Sequence, residues 1–313
     1  MTAAAFRAIS AGMSQTPAQR EERTTLGLTL MMSAVACFTM IDSSAKWLVT
    51  AGLPAIQVVF VRYAVHFGLA VAVFVPGEGP DAFRANAPRI QTLRSACLFG
   101  STVFNFMSLQ FLPLTVTTTI MFAGPIVVTL LAMPMLGERV PRDRVLAVCV
   151  GFLGVLVVIR PWGAAFHPAM LLTLCALALA SIYFLLTRRL AGVDDNSTSQ
   201  LWASGLATLC LAPFALADWH WPRTGADWAF FSLIGLFGGT GHIMATTAHR
   251  FADASILAPM MYTQIVFAAA ASIAIFSVWP SAWTLAGGSI IVCAGIYIWY
   301  HEGHSPDARG RRG

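Results

Sequence analysis

The chain has 313 residues, 57% hydrophobic and only 11% charged, with a formal net charge of +5. A soluble domain carries about 25% charged residues, so this chain cannot cover a water-facing surface, and the composition places it in the membrane class. The positive balance does not point to nucleic acid, because its distribution along the chain reads as membrane topology.

A transmembrane helix needs roughly 20 mainly apolar residues. Ten segments qualify: 26–49, 54–75, 94–111, 113–136, 143–160, 168–187, 198–217, 228–247, 254–278 and 282–300. Runs of this length exclude a transmembrane barrel, whose strands are about 10 residues long and alternate in polarity. The expected fold is therefore all-α and integral to the membrane. The six cysteines all fall in these segments without a CxxC pair. They read as small packing residues, not as disulfides or metal ligands.

Residues 1–25 are polar, carry Arg7, Arg20 and Arg23, and lack an apolar core followed by a cleavage site. They are expected to form a cytoplasmic tail and not a signal peptide. A second reading lays Phe6, Ile9 and Met13 on the membrane surface as a short helix.

Span one carries Asp42 and Lys46, four residues apart and so on one helix face. Span two returns with Arg62 about 8 residues in, or roughly 12 Å at 1.5 Å per residue, a depth similar to that of Asp42. Intramembrane charges pair with one another or line a water-filled cavity, so Asp42 is expected within salt-bridge reach of Arg62 or Lys46. Either the cluster ties helices one and two together, with Lys46 reaching the surface, or Asp42 and Arg62 contact a substrate's ammonium and carboxylate.

Span three offers Ser101, Asn105 and Ser108 on one face. The Asn105 amide either orients a zwitterion or makes an interhelical hydrogen bond. In span four, Thr118, Phe122, Pro125 and Thr129 lie at i, i+4, i+7 and i+11, one helical face. Tyr183 in span six and Trp202 in span seven are further candidates for a cavity wall. Span eight holds His242 and Thr246, with His249 near its end. A deep histidine such as His66 or His242 either couples to protons or packs as a hydrogen-bonded residue. Span nine repeats the span-four pattern with Ser255, Pro259, Tyr262, Thr263 and Gln264. Pro125 and Pro259 each remove a backbone hydrogen bond and read as hinges, and the hydroxyls and aromatics beside them read as cavity lining. Plain helix packing is the alternative. Spans five and ten, rich in Gly, Val and Ile, are expected at the periphery.

Gly-Leu-Phe-Gly-Gly-Thr-Gly-His at 235–242 lacks the Lys–Ser/Thr ending of a phosphate loop and reads as close helix packing. His301–Glu302–Gly303–His304 is not a zinc motif. No nucleophile–base–metal set stands out, so neither an enzyme nor a cofactor is expected.

With the N-terminus inside, 15 of the 19 basic residues fall on cytoplasmic segments, leaving Arg160 and Arg223 outside and Lys46 and Arg62 within spans. Both termini are therefore expected in the cytoplasm. Shifting the chain by 140 residues superposes Phe111 on Phe251, Thr115 on Ser255, Met121 on Met261 and Phe122 on Tyr262. Five spans followed by five imply two halves of opposite orientation, a transporter design with its site near the midplane.

At Pro125, Gly137–Glu138–Arg139, Gly151 and Gly154, and again at 258–264, the chain resembles the EamA family of the drug/metabolite transporter superfamily. The resemblance covers residues 26–300. It implies a tail at 1–25, helices 1–5 as one repeat over 26–160, helices 6–10 as an inverted repeat over 168–300, and a cytoplasmic tail at 301–313. It further implies secondary transport of a small metabolite by alternating access across a bacterial inner membrane, by a monomer, with no nucleic-acid partner. Export of amino acids is the leading expectation; uptake or exchange of a vitamin or an S-adenosylmethionine-like metabolite is the alternative. An integral-membrane enzyme or a lipid-handling protein is the distant one. The expected cavity residues are Asp42, Arg62, Asn105, Thr118, Phe122, Tyr183, His242, Tyr262 and Gln264. Two positions depart from the family pattern: Val278 stands where a partner of Glu138 would map, and Gln264–Ile265 replaces the Gly124–Pro125 pair.

Overall fold

The computed structural model describes residues 17–124, 126–128, 130–131, 142–160, 166–190, 193–248, 251, 257 and 260–304. Its α-helices are α1 Pro17–Thr50, α2 Ala55–Glu78, α3 Pro88–Leu109, α4 Leu114–Met121, α5 Arg142–Ile159, α6 Ala169–Leu190, α7 Asn196–Ala217, α8 Gly225–Ala248, α9 Thr263–Phe276 and α10 Ala282–His304. A short 3-10 turn, Gly79–Phe83, follows α2. Among the described residues no strand occurs.

Prolines mark the helix starts. Pro54 and Pro113 precede α2 and α4, and Pro88 opens α3. At a first turn the fixed φ suits the helix and the missing N–H would have had no partner. Gly52, with φ +96°, makes the tight α1–α2 turn that only glycine adopts without strain. Helix α1 begins inside the segment expected to be a tail, and α10 continues to His304.

The polarity of the bundle is that of a protein dissolved in lipid. Leu209, Phe214 and Val266 are about 70% exposed, while Arg62, Arg94, His66 and a set of threonines and serines are buried. In hydrocarbon, polar groups must be satisfied inside the protein. Hydroxyls manage this by bonding back to the preceding turn, as do Thr39 to Val35, Ser43 to Thr39 and Ser44 to Met40 in α1.

Among the described residues five segments are long and apolar enough to cross a membrane: Thr25–Thr50, Ala55–Phe83, Ala169–Thr187, Asn196–Ala217 and Gly225–Ala248. Among the described residues α9 has 14 residues, preceded by helical Met260 and Met261, and α4 has 8, with turns at Phe122 and Ala123 followed by helical residues at 124, 126–128 and 130–131. Pro125, Thr129, Gly137–Arg139, Ser255 and Pro259 lie outside the described residues. Helix α3 is 22 residues long, but Arg89, Gln91 and Arg94 make its first turns polar.

The most extensive packing pairs are α1 with α8, α3 with α6, α5 with α10, and α2 with α7, followed by α2 with α8 and α3 with α7. Exchanging α1–α5 for α6–α10 maps this set onto itself. At the crossing of α5 and α10, a Cβ on Gly154 would lie 2.9 Å from the Gly287 carbonyl oxygen, so the backbones themselves touch.

Candidate functional site

The glycines of 235–241 bring α8 against α1 and α2. A Cβ on Gly235 would lie 2.3 Å from Val65 Cβ, and one on Gly239 would lie 2.7 Å from Leu69 Cδ1. This close approach seats His242 among charged residues of the first half. Its Nε2 lies 3.3 Å from Arg62 Nη2. Its ring stacks on His66, with centroids 5.4 Å apart and planes 7° apart, and Phe38 lies on it at 5.1 Å. The Arg62 guanidinium rests 4.4 Å from the centre of the Tyr63 ring, whose hydroxyl shares a hydrogen bond with Thr102.

Across this cluster Asn105 Nδ2 donates to Asp42 Oδ1 at 3.3 Å. The expected ion pair is not formed: among the described residues neither Arg62 nor Lys46 lies within 4.0 Å of Asp42. Arg62 reaches Asp42 through space, by charge and not by contact. The Arg62 guanidinium is turned toward His242 and the Tyr63 ring, and Asp42 accepts from Asn105 instead. Lys46 donates to the carbonyls of Leu109 and Leu112 and lies over the Phe276 ring. It closes the C-terminus of α3, where unpaired carbonyls attract a cation, and does not extend to a surface.

Several polar atoms of the cluster are buried without a partner among the described residues. They are Nε and Nη1 of Arg62, Oδ1 of Asn105 and both ring nitrogens of His66. Gln200 approaches His66 without meeting hydrogen-bond geometry. A buried polar atom without a partner costs about 1–3 kcal/mol, more when charged, so these are the atoms of the cluster whose hydrogen-bonding capacity the described residues leave unused. Asp42, Asn105 and His242 keep partial exposure although they sit deep along their helices.

The remaining candidates fall in two other places. Phe122 and Tyr262 meet face to tilted face, centroids 5.7 Å apart, in the apolar core that joins α4, α5, α6 and α10. Phe122 is buried and Tyr262 half-buried. The Tyr262 hydroxyl lies against Gly295 of α10. Thr118 and Tyr262 border a cleft of about 330 Å³ between α4, α9 and α10, with Thr115, Thr119 and Thr284. Gln264 is half-buried on α9.

Tyr183 is not beside Asp42. Its hydroxyl accepts from Arg94 Nη2 at 3.1 Å, and its ring lies under the same guanidinium. Arg94 is 11 residues before Asn105 on α3, or about 16 Å along the axis. Thr187, Gln91 and the Ser199 carbonyl complete its partners. A second end of the bundle is tied by Trp47 to Asp227 at 2.8 Å and by Gln57 to the His220 backbone. Trp202 bonds the Phe83 carbonyl at the Arg94 end. The sequence reading placed Arg94 at the cytoplasmic start of span three and counted it only toward topology; in the fold it lies six residues after Pro88, nearly two turns inside α3.

Known proteins resemble this chain over most of its length. The model of the EamA-like transporter family matches twice, over residues 25–160 and 167–300. An S-adenosylmethionine uptake transporter of Rickettsia prowazekii is 26% identical over 90% of this chain and 95% of its own. A riboflavin transporter of Brucella anthropi is 26% identical over 86% and 96%. The pseudopaline exporter CntI of Pseudomonas aeruginosa is 27% identical over 87% and 95%. One crystal structure, 18% identical, shares the fold over 91% of this chain and 99% of its own, with a TM-score of 0.60. The chain is thus a multi-pass membrane transporter and not an enzyme, and it belongs to the EamA-like transporter family.

Proposed function

We propose that the protein is a secondary carrier for small zwitterions bearing an α-amino-acid group, exporting amino acids across the bacterial inner membrane by alternating access. The observation that carries this reading is the buried pair of unfilled functions around α1, α2 and α3. Arg62 offers free N–H donors to a carboxylate, and Asp42 with Asn105 Oδ1 offers acceptors to an ammonium. A site with donors at one end and acceptors at the other is complementary to a zwitterion.

Ten membrane crossings in two inverted halves, with both termini cytoplasmic and a single chain sufficient for the pathway, complete the proposal. The exchange symmetry of the helix packing and the distribution of arginines support it. In this reading Pro125 and Pro259 are the flexing points, and Thr118, Phe122, Tyr262 and Gln264 line the path on the α4–α9 side. Tyr183 acts with Arg94 where the path meets the cytoplasm.

A second substrate is S-adenosylmethionine, favoured by the uptake transporters of that compound among the relatives. Its methionine portion presents the same ammonium and carboxylate, so the same clamp serves it. Counterflow in proteoliposomes, with labelled amino acids and labelled S-adenosylmethionine tested one at a time, decides between them. Exchange of neither compound overturns the zwitterion reading.

A further inference from the structure

Arg160 breaks the pattern of the other arginines. With Arg223 it is one of the two basic residues that the charge distribution leaves on the outer side. It follows α5 directly, and its guanidinium lies over the Trp283 ring of α10, 4.6 Å from the ring centre. A guanidinium held over an aromatic face keeps its N–H donors at the edge of its own plane. Among the described residues no carboxylate lies within 4.0 Å of Arg160 to take them. Trp279 and Trp283 are 76% and 52% exposed. Tryptophans at the ends of membrane helices sit at the headgroup level, so Arg160 is held at the depth of lipid phosphates.

The cleft between α4, α9 and α10 begins beside this arginine. Pro280 and Thr284 line its near end, and Tyr262 and Cys293 line its far end. From Thr284 to Cys293 the α10 wall runs nine residues inward, or about 14 Å. The rim is continuous with the lipid-facing surface, since Val266 is 68% and Leu285 54% exposed. Hydroxyls on the walls are turned back into the helices. Thr119 donates to the Thr115 carbonyl, Ser289 donates to the Leu285 carbonyl, and Thr284 shares a hydrogen bond with Ser281. A cavity water needs two to four polar partners. Walls of this kind suit hydrocarbon instead.

We propose that the cleft and Arg160 together seat one anionic phospholipid, with its phosphate on the guanidinium and one acyl chain along α10. A guanidinium takes two phosphate oxygens through parallel hydrogen bonds. Trp283, under the guanidinium, and Thr284, in the cleft, are adjacent in sequence, so one lipid reaches both halves of the seat. The lipid is a resident and not the cargo. Its seat is built on α4, α9, α10 and the end of α5, whereas Arg62, Asp42 and Asn105 stand on α1, α2 and α3. The seat belongs to the outer leaflet in the topology proposed above, and it does not depend on which substrate the carrier moves.

The test uses the full-length protein in phosphatidylcholine nanodiscs. These offer both leaflets, so the result is independent of the direction of insertion. A small share of phosphatidylglycerol, or in a parallel sample of phosphatidylcholine, carries a diazirine halfway along one acyl chain. After irradiation, peptide mapping should place most adducts on the cleft walls around Ala269 and Val292. The phosphatidylglycerol probe should label them about fivefold more than the phosphatidylcholine probe, the effect of one basic residue at an anionic surface. Arg160→Gln should bring the two probes to parity. Ala269→Phe fills the cleft from α9 and should cut these adducts several-fold. Adducts at Leu209 and Phe214, on the exposed face of α7, should stay unchanged and report that the variant is folded. Wild-type adducts as frequent on α7 as in the cleft, or cleft adducts that Ala269→Phe leaves in place, overturn the seat. Equal labelling by the two probes in the wild type, or a preference that survives Arg160→Gln, overturns the headgroup contact.

Discussion

Asn105 on α3 donates its amide to Asp42 on α1 at 3.3 Å and leaves its own Oδ1 buried without a partner. The amide therefore orients the carboxylate and adds a second acceptor beside it. Asn105→Leu removes both functions. A hydrogen bond to a charged group contributes about 1.5–3 kcal/mol, and 1.4 kcal/mol is tenfold. Half-saturation for a zwitterionic substrate should rise by at least about tenfold in concentration-dependent counterflow, and an unchanged value would remove Asn105 from the site.

Asp42 and Arg62 do not touch. If the two served only to pair, exchanging them would restore the contact. The double variant Asp42→Arg/Arg62→Asp should instead remain inactive, like each single variant, because both ends of the clamp are reversed relative to the neighbours that hold them. Transport recovered in the double variant, at matched protein levels in the vesicle, would show a structural ion pair.

Lys46 joins α1 to the end of α3 and to Phe276 of α9. Its loss should loosen the end of the bundle that carries Trp47 and Gln57. In a Lys46→Met protein, a cysteine placed at Phe276 should react with a membrane-impermeant thiol reagent several-fold faster than in the Lys46 background. Equal labelling would mean that this contact does not hold that end closed.

Gly295 leaves room for the Tyr262 hydroxyl, which a Cβ would meet at 1.6 Å. Gly295→Ala should therefore displace Tyr262 from Phe122 and lower thermal stability in detergent, with an overpacking cost of about 1–3 kcal/mol. Adding Tyr262→Phe removes the clashing oxygen and should recover part of the loss. A pair of variants with additive effects would break the proposed contact.

Much of this was legible in sequence because membrane solvation is a simple constraint. Apolar runs set the helices, and the arrangement of arginines set the expected topology. Asp42, Arg62, Asn105 and His242 stood out because polar groups are rare in such runs. Their pairing was not legible, since same-depth arithmetic on α1 and α2 cannot see α8, which enters only through the glycines at 235–241. The contact of Tyr183 with Arg94 was not legible for a related reason. Arg94 sits where a span and a loop have the same composition, and only the fold shows the guanidinium turned inward. The turn at Tyr262, between helical Met260–Met261 and the helix from Thr263, was not legible in a segment of uniform hydropathy.

The most direct test of the central claim is competition against labelled L-methionine counterflow by unlabelled L-methionine, its methyl ester and its N-acetyl derivative. A clamp built from Arg62 at one end and Asp42 with Asn105 at the other requires both charges. The account predicts that intact methionine competes and that either blocked form is weaker by at least about tenfold, the loss of one charge-assisted hydrogen bond. Equal competition by the ester or the N-acetyl form would mean that Arg62 or Asp42 does not touch substrate, and would contradict it.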